Sequence, residues 1–118
     1  MKKQPVFLEL TKIYLPITAL VSILHRITGV LLLAMMPLGV AVLYGLFIQP
    51  ESLAEYAVMI WYLALIFSYL YLYHVVAGLR HMVSEIFHWH ELKTARQGAW
   101  FILIFWPLVC LLITLRVL

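Results

Sequence analysis

The chain has 118 residues, of which 66% are hydrophobic and only 11% are charged, with a mean hydropathy of +1.06 and a formal net charge of +3. About a quarter of the residues of a soluble domain are charged, so this composition excludes an ordinary soluble protein and indicates one membrane domain over residues 1–118. The single cysteine, Cys110, excludes an intrachain disulfide and a cysteine-ligated cluster or zinc site. Redox chemistry would therefore require a bound cofactor.

Stretches without formal charge divide the chain into segments that are long enough to cross a bilayer. Three such stretches lie at residues 27–50, 56–79 and 97–115. Their 24, 24 and 19 residues match the roughly 20 that a helix needs to span the hydrocarbon core. The sequence therefore predicts an all-α membrane protein with three transmembrane helices, over residues 16–48, 56–82 and 97–117.

The first predicted helix follows a short amino-terminal segment, residues 1–15. We expect the helix to begin near Pro16, because proline is preorganised for the first helical position. The spacing i, i+3, i+4, i+7 then places four residues on one helix face, namely Ser22, His25, Arg26 and Gly29. Polar groups gathered on one face of a membrane helix indicate a functional surface.

The second predicted helix carries a titratable side chain within its charge-free stretch. His74 lies six residues before Arg80, which places it about 9 Å deeper along the helix axis. His74, Gly78 and His81 share one face, and this face repeats the His-x-x-x-Gly arrangement of the first helix. Each face thus offers an imidazole beside a flat gap, against which we expect a planar cofactor to lie.

The third predicted helix completes the topology, and the basic residues indicate its orientation. Seven of the eight lie before the charge-free part of the first helix or between the second and third helices: Lys2, Lys3, Lys12, Arg26, Arg80, Lys93 and Arg96. The loop over residues 48–55 has none, and Arg116 is the exception. By the positive-inside rule, we predict a cytoplasmic amino terminus and a periplasmic carboxyl terminus.

This arrangement suits haem b. A neutral imidazole such as that of His74 ligates haem iron, and the two propionates would point toward the basic rim formed by His25, Arg26, Arg80 and His81. The chain supplies only one deep histidine. The second axial ligand is therefore expected from another subunit, or the iron is five-coordinate.

Two motifs carry a specific family resemblance. Residues 22–29, Ser-Ile-Leu-His-Arg-Ile-Thr-Gly, resemble the S-x-x-H-R-x-[ST]-G signature of the cytochrome b subunit of succinate dehydrogenase. Residues 74–81, His-Val-Val-Ala-Gly-Leu-Arg-His, resemble its H-x-x-x-G-x-R-H signature. The likeness covers nearly the whole chain, including the order of the three helices. Glu85 departs from the family pattern, which commonly has an aspartate at that distance from the second motif.

The resemblance implies an anchor subunit of succinate dehydrogenase that is not an enzyme on its own. In that family, a second small anchor subunit shares one haem b, and a flavoprotein containing FAD docks together with an iron-sulfur subunit on the cytoplasmic side. Electrons from succinate oxidation pass through them to ubiquinone. Carried over by motif, the expected roles are iron ligation for His74, quinone binding for Ser22 and Arg26, and haem contacts for His25, Arg26, Gly29, Gly78 and His81.

Ser22 and Arg26 have chemistry that suits quinone reduction. Two electrons and two protons convert a quinone into a quinol, and the quinone oxygens need hydrogen-bond donors as negative charge develops on them. The Ser22 hydroxyl can donate, and Arg26 adds a permanent positive charge. Their place at the membrane edge would let protons arrive from water while the isoprenoid tail stays in lipid.

Simpler interpretations remain open. Boundary arginines commonly snorkel, membrane serines commonly bond back to their own helix, and glycines commonly mark helix packing. For the whole protein, the alternatives are a small proton-coupled transporter that relays protons through His74, or a cofactor-free scaffold. His88 and His90, in the connection after the second helix, are expected in interfacial or subunit contacts.

The amino-terminal segment bears on localisation. Its first fifteen residues lack the charged, apolar and small-residue regions of a signal peptide, and they are not an Arg- and Ser-rich transit segment. We therefore expect a multi-pass protein of the bacterial inner membrane.

Overall fold

The computed structural model describes residues 17–87 and 92–118. Within them lie four α-helices, which we number α1 (Ile17–Ile48), α2 (Pro50–Leu53), α3 (Ala57–Ile86) and α4 (Leu92–Val117), with a 3₁₀ turn at Ala54–Tyr56. The three long helices, α1, α3 and α4, are long and apolar enough to cross a membrane. The predicted all-α fold with three membrane-spanning helices is therefore confirmed, whereas Pro16 and segment 1–15 lie outside the described residues.

Two helices extend beyond their predicted ends. α3 continues to Ile86 instead of ending at residue 82, and α4 begins at Leu92 instead of residue 97. Absence of charge marks the hydrocarbon region, but Glu, Lys and Arg are good helix formers, so a helix does not stop at its first charged residue. The ends of α3 and α4 nearest their connection therefore continue as helix past the apolar spans.

The long helices pack most closely near the amino-terminal end of α1. Five residues there are at most 3% exposed: Val21, Tyr73, Ala77, Ala99 and Ile102. Ala77 and Ala99 are small, and small residues let membrane helices approach closely. The Tyr73 hydroxyl donates a hydrogen bond of 3.0 Å to the carbonyl oxygen of Val21, which joins α3 to α1.

Aromatic side chains with polar tips join α3 to α4. The indole Nε1 of Trp106 donates to the carbonyl oxygen of Tyr69 at 2.9 Å, and the Tyr69 hydroxyl pairs with the hydroxyl of Thr114. The rings of Tyr73 and Trp106 meet edge to face, with centroids 5.4 Å apart. Because each polar tip has a partner on the neighbouring helix, these aromatic residues can lie at membrane depth.

Close packing does not continue along the full length of α1 and α3. An apolar groove of about 350 Å³ opens between the carboxyl-terminal half of α1 and the amino-terminal half of α3. A Cβ built on Gly39, which lines this groove, would meet no atom within 4 Å. The tight contact between the two helices therefore belongs to the end that carries the two polar motifs.

Candidate functional site

Two histidine–glycine pairs bring α1 and α3 together. The helices run antiparallel, so that His25 lies against Gly78 and His74 lies against Gly29. A Cβ on Gly29 would stand 2.9 Å from Cε1 of His74, and a Cβ on Gly78 would stand 3.1 Å from Nε2 of His25. Each glycine therefore makes room for the imidazole of the other helix.

The two imidazoles form a parallel stack. Their ring centroids are 4.2 Å apart, and their planes differ by 6°. Nδ1 of His74 lies 3.1 Å from the carbonyl oxygen of His25. A carbonyl oxygen only accepts hydrogen bonds, so Nδ1 is the donor, and a neutral His74 carries its proton there. Nε2 of His74 has no hydrogen-bond partner among the residues that the structure describes.

The stack changes two expectations. The sequence places His25 among the cations of the rim, one layer above His74. In the structure the two rings are stacked face to face, because the antiparallel register sets His25 against Gly78. The flat gaps at Gly29 and Gly78 are filled by the imidazoles of the opposite helix. A haem contact for either glycine stays a prediction, and the structure gives both glycines a helix-packing role.

A cavity of about 240 Å³ opens beside the stack. Its lining residues are Val21, Ser22, His25, Arg26, Ala77, Arg80 and His81. The cavity therefore brings together polar residues from both motifs, whereas His74 and Thr28 are not among its lining residues. Two guanidinium groups and no carboxylate line it, which favours a ligand that carries oxygen atoms or negative charge.

Ser22 differs from other membrane hydroxyls of this chain. The hydroxyls of Ser68, Ser84 and Thr114 donate to carbonyl oxygens of their own helices, three or four residues earlier. The structure gives the Ser22 hydroxyl no such bond within the described residues, although the carbonyl oxygens three and four residues before it are described. Ser22 therefore lines the cavity, and within the part of the chain that the structure describes its hydroxyl has no hydrogen-bond partner.

Arg80 has a structural contact that the sequence does not reveal. Its Nη2 donates to the carbonyl oxygen of Ala95 at 2.7 Å, which joins α3 to α4. A Cβ on Gly98 would stand 2.7 Å from Nε of Arg80, so the missing side chain lets the guanidinium cross close to α4. Gly98, a glycine inside a helix, was the available sign of a close approach. Arg80 is thus more than a snorkelling boundary charge.

His81 and Glu85 face each other on consecutive turns of α3. Nε2 of His81 lies 3.6 Å from Oε1 of Glu85, and both side chains are largely exposed. Such exposed pairs contribute little to stability. Glu85 departs from the family pattern, yet it lies beside His81, which lines the cavity. His88 and His90 lie outside the described residues.

The hydrogen bonding of His74 fits the role of an axial haem ligand. Haem iron takes its protein ligands at two axial positions, so one imidazole from each of two chains is sufficient. The bond from Nδ1 of His74 to the His25 carbonyl leaves Nε2 with its lone pair, and an imidazole binds iron through such a nitrogen. Arg26 and Arg80 lie on the adjoining cavity, where cations suit propionates.

Comparison with known proteins agrees with the two motifs. The family model described as the succinate dehydrogenase/fumarate reductase transmembrane subunit matches residues 1–115. The succinate dehydrogenase cytochrome b556 subunit of Coxiella burnetii (strain RSA 493 / Nine Mile phase I) is 32% identical to this chain over 104 residues. The aligned region covers 83% of this chain and 83% of that protein.

Proposed function

This chain belongs to the family of succinate dehydrogenase/fumarate reductase transmembrane subunits, and on that basis we propose that it binds haem b and helps to form a quinone-reduction site. Family membership makes it a multi-pass membrane subunit of an oxidoreductase complex, with no catalytic centre for succinate of its own. It also sets aside the proton-coupled transporter. The cofactor-free scaffold remains as an outcome of the test below.

In this proposal, His74 is the axial haem ligand. The observation that carries it is the hydrogen bond of 3.1 Å from Nδ1 of His74 to the His25 carbonyl oxygen, which leaves Nε2 available. When bound, haem b supplies a one-electron redox centre. His25, Arg26 and His81 would hold the propionates, and another anchor subunit would supply the second iron ligand.

Ser22 and Arg26 hold the quinone. Ser22 and Arg26 line the cavity of about 240 Å³, and the Ser22 hydroxyl makes no bond to the described residues of its own helix. The hydroxyl donates to a quinone carbonyl oxygen, and the positive charge of Arg26 stabilises the negative charge that develops there during reduction. With two electrons and two protons, ubiquinone becomes ubiquinol. These residues therefore position and stabilise the quinone, and the electrons originate in other subunits.

The partners follow from the family. We propose that a flavoprotein with FAD and an iron-sulfur subunit dock at the cytoplasmic end, where the polar motifs and most basic residues lie. A second small anchor subunit packs against α1 and α3 and shares the haem. Apolar side chains such as Val30 and Val58, 67% and 70% exposed, face lipid or that subunit.

A reduced-minus-oxidised optical spectrum of the intact purified complex tests the haem proposal. We expect a b-type band in the wild type and loss of most of that band in His74→Leu, because leucine provides no iron ligand. Tyr62→Leu is the matched control, since Tyr62 lies on the same helix, is 57% exposed and is twelve residues, or about 18 Å along the helix axis, from His74.

Two outcomes would contradict the proposal. Absence of a b-type band from the wild-type complex would support a cofactor-free scaffold. A normal band in His74→Leu would move the ligand to another residue.

A further inference from the structure

Thr28 is a buried polar residue of the first motif that does not line the cavity beside the histidine stack. Thr28 is 7% exposed, and its hydroxyl on α1 contacts His74 of α3. The hydroxyl is 2.9 Å from the carbonyl oxygen of His25 and 3.3 Å from Nδ1 of His74. Thr28 is therefore in contact with the proposed haem ligand without being a ligand itself.

The directions of the hydrogen bonds around Thr28 follow from the chemistry of the three groups. The His25 carbonyl oxygen only accepts, so it takes the hydrogen of the Thr28 hydroxyl and the hydrogen on Nδ1 of His74. The hydroxyl oxygen keeps its lone pairs, and these face the same Nδ1–H at 3.3 Å. Nδ1–H of His74 therefore has two oxygen acceptors, both supplied by one turn of α1.

We propose that Thr28 is a positioning residue for His74. Thr28 acts through the His74 imidazole and does not itself touch the haem. This inference rests on the proposed haem ligation. The hydroxyl and the His25 carbonyl hold the proton on Nδ1 and restrict rotation of the ring, so that Nε2 is presented to the iron with its lone pair. Groups that hydrogen-bond the remote nitrogen of a metal-ligating histidine set its tautomer, its orientation and its basicity.

Gly29 is part of the same arrangement. The distance of 2.9 Å from a Cβ on Gly29 to Cε1 of His74 shows that the ring approaches the α1 backbone more closely than a side chain at position 29 allows. The close approach brings Nδ1 within hydrogen-bond distance of the carbonyl oxygen and of Thr28. The Thr28–Gly29 pair therefore combines an acceptor with the space that the imidazole needs to reach it.

Thr28→Val and Thr28→Ser, made in the intact complex, separate the hydroxyl from the shape of the side chain. Valine preserves the shape but cannot accept from Nδ1, so His74 loses one of two acceptors and donates less electron density to iron. We expect the haem midpoint potential of Thr28→Val to shift to more positive values, and the electron paramagnetic resonance signal of the ferric haem to change. Thr28→Ser keeps the hydroxyl, so its midpoint potential and resonance signal should stay close to those of the wild type.

Thr114→Val is the control for removal of a membrane threonine hydroxyl. Thr114 bonds to Tyr69 and to the Cys110 carbonyl oxygen, away from His74, so its substitution should leave the potential unchanged. Equal potentials and equal resonance signals in Thr28→Val and the wild type, with haem retained, would overturn the role of Thr28 alone. Retention of the normal haem band in His74→Leu, measured in parallel, would instead overturn the haem ligation on which it rests.

Discussion

At the scale of single residues, Ser22 differs in its local geometry from a serine with a purely structural role. A serine in a membrane helix ordinarily satisfies its hydroxyl on its own backbone, as Ser68 does at 2.7 Å. Ser22 lines the cavity and has no such bond among the described residues. The sequence could not choose between these two states, because both use the same helix and the same residue type.

The effect of Ser22→Ala on quinone reduction tests this difference. Removal of one preorganised donor costs on the order of 10²-fold in enzymes that stabilise developing negative charge. We therefore expect at least about a tenfold loss of quinone-reductase activity, with the haem spectrum unchanged. The measurement is steady-state reduction of a ubiquinone analogue by the intact complex, with succinate as the electron donor.

Ser68→Ala is the matched control for Ser22→Ala. It removes a hydroxyl that donates to the Ala64 carbonyl oxygen of its own helix, so activity should stay near that of the wild type. If Ser22→Ala were as active as Ser68→Ala, Ser22 would not contact the quinone.

At the scale of elements, the contact between α1 and α3 contains two reciprocal pairs, each a histidine of one helix against a glycine of the other. Each helix carries a histidine and, one turn later, a glycine, and the antiparallel register sets histidine against glycine twice. The same register leaves the other half of this helix pair open, at the groove near Gly39. The pair is therefore tight where the motifs lie and loose elsewhere.

Substitution of glycine by alanine along α1 tests this distribution. In Gly29→Ala, the new methyl group would stand 2.9 Å from the His74 ring, which must move and weaken its hydrogen bond. Overpacking of this kind costs about 1–3 kcal/mol. We expect lower haem content and a lower melting temperature of the complex, measured by optical spectroscopy and thermal unfolding.

Gly39→Ala provides the control on the same helix. Its methyl group would meet no atom within 4 Å, and alanine favours a helix over glycine, so neither haem content nor melting temperature should fall. Equal losses in Gly29→Ala and Gly39→Ala would indicate a general effect on α1 and would contradict the specific contact with His74.

At the scale of the whole molecule, the distribution of charge predicts the direction in which the chain crosses the membrane. The basic residues of the first and second motifs and of the start of α4 lie at one end of the helices, and the α1–α3 connection at the other end has no Lys or Arg. The positive-inside rule assigns the basic end to the cytoplasm. Such an orientation would place the cavity that Ser22 and Arg26 line on the side where we propose that the flavoprotein and the iron-sulfur subunit dock.

Labelling of single cysteines in intact cells tests the orientation with the full-length chain. In a Cys110→Ala background, we expect a membrane-impermeant maleimide to label Ser52→Cys in the α1–α3 connection. Lys93→Cys, at the opposite end on α4, should stay protected. Both positions are exposed on the isolated subunit, so the membrane and the docked subunits account for the difference. Labelling of Lys93→Cys together with protection of Ser52→Cys would show the inverse topology.

Much of the architecture was predictable because lipid imposes a simple constraint. A backbone in hydrocarbon must satisfy its hydrogen bonds within a helix, so the lengths of charge-free stretches predicted three helices, and the structure confirms them. The ends at Ile86 and Leu92 were less predictable, because helix continuation in water depends on local propensity and not on the membrane boundary.

The sequence by itself determined the membrane class, the number of spanning helices, the family through two motifs, and the set of polar residues that share a face on each helix. Only the tertiary structure decided how those faces meet. In that structure, His25 stacks on His74, and each ring lies against a glycine of the other helix. Thr28 contacts Nδ1 of His74, and Arg80 donates a hydrogen bond to α4. The physical reason is that helical periodicity is a property of one segment, whereas register depends on close packing between segments that are distant in sequence.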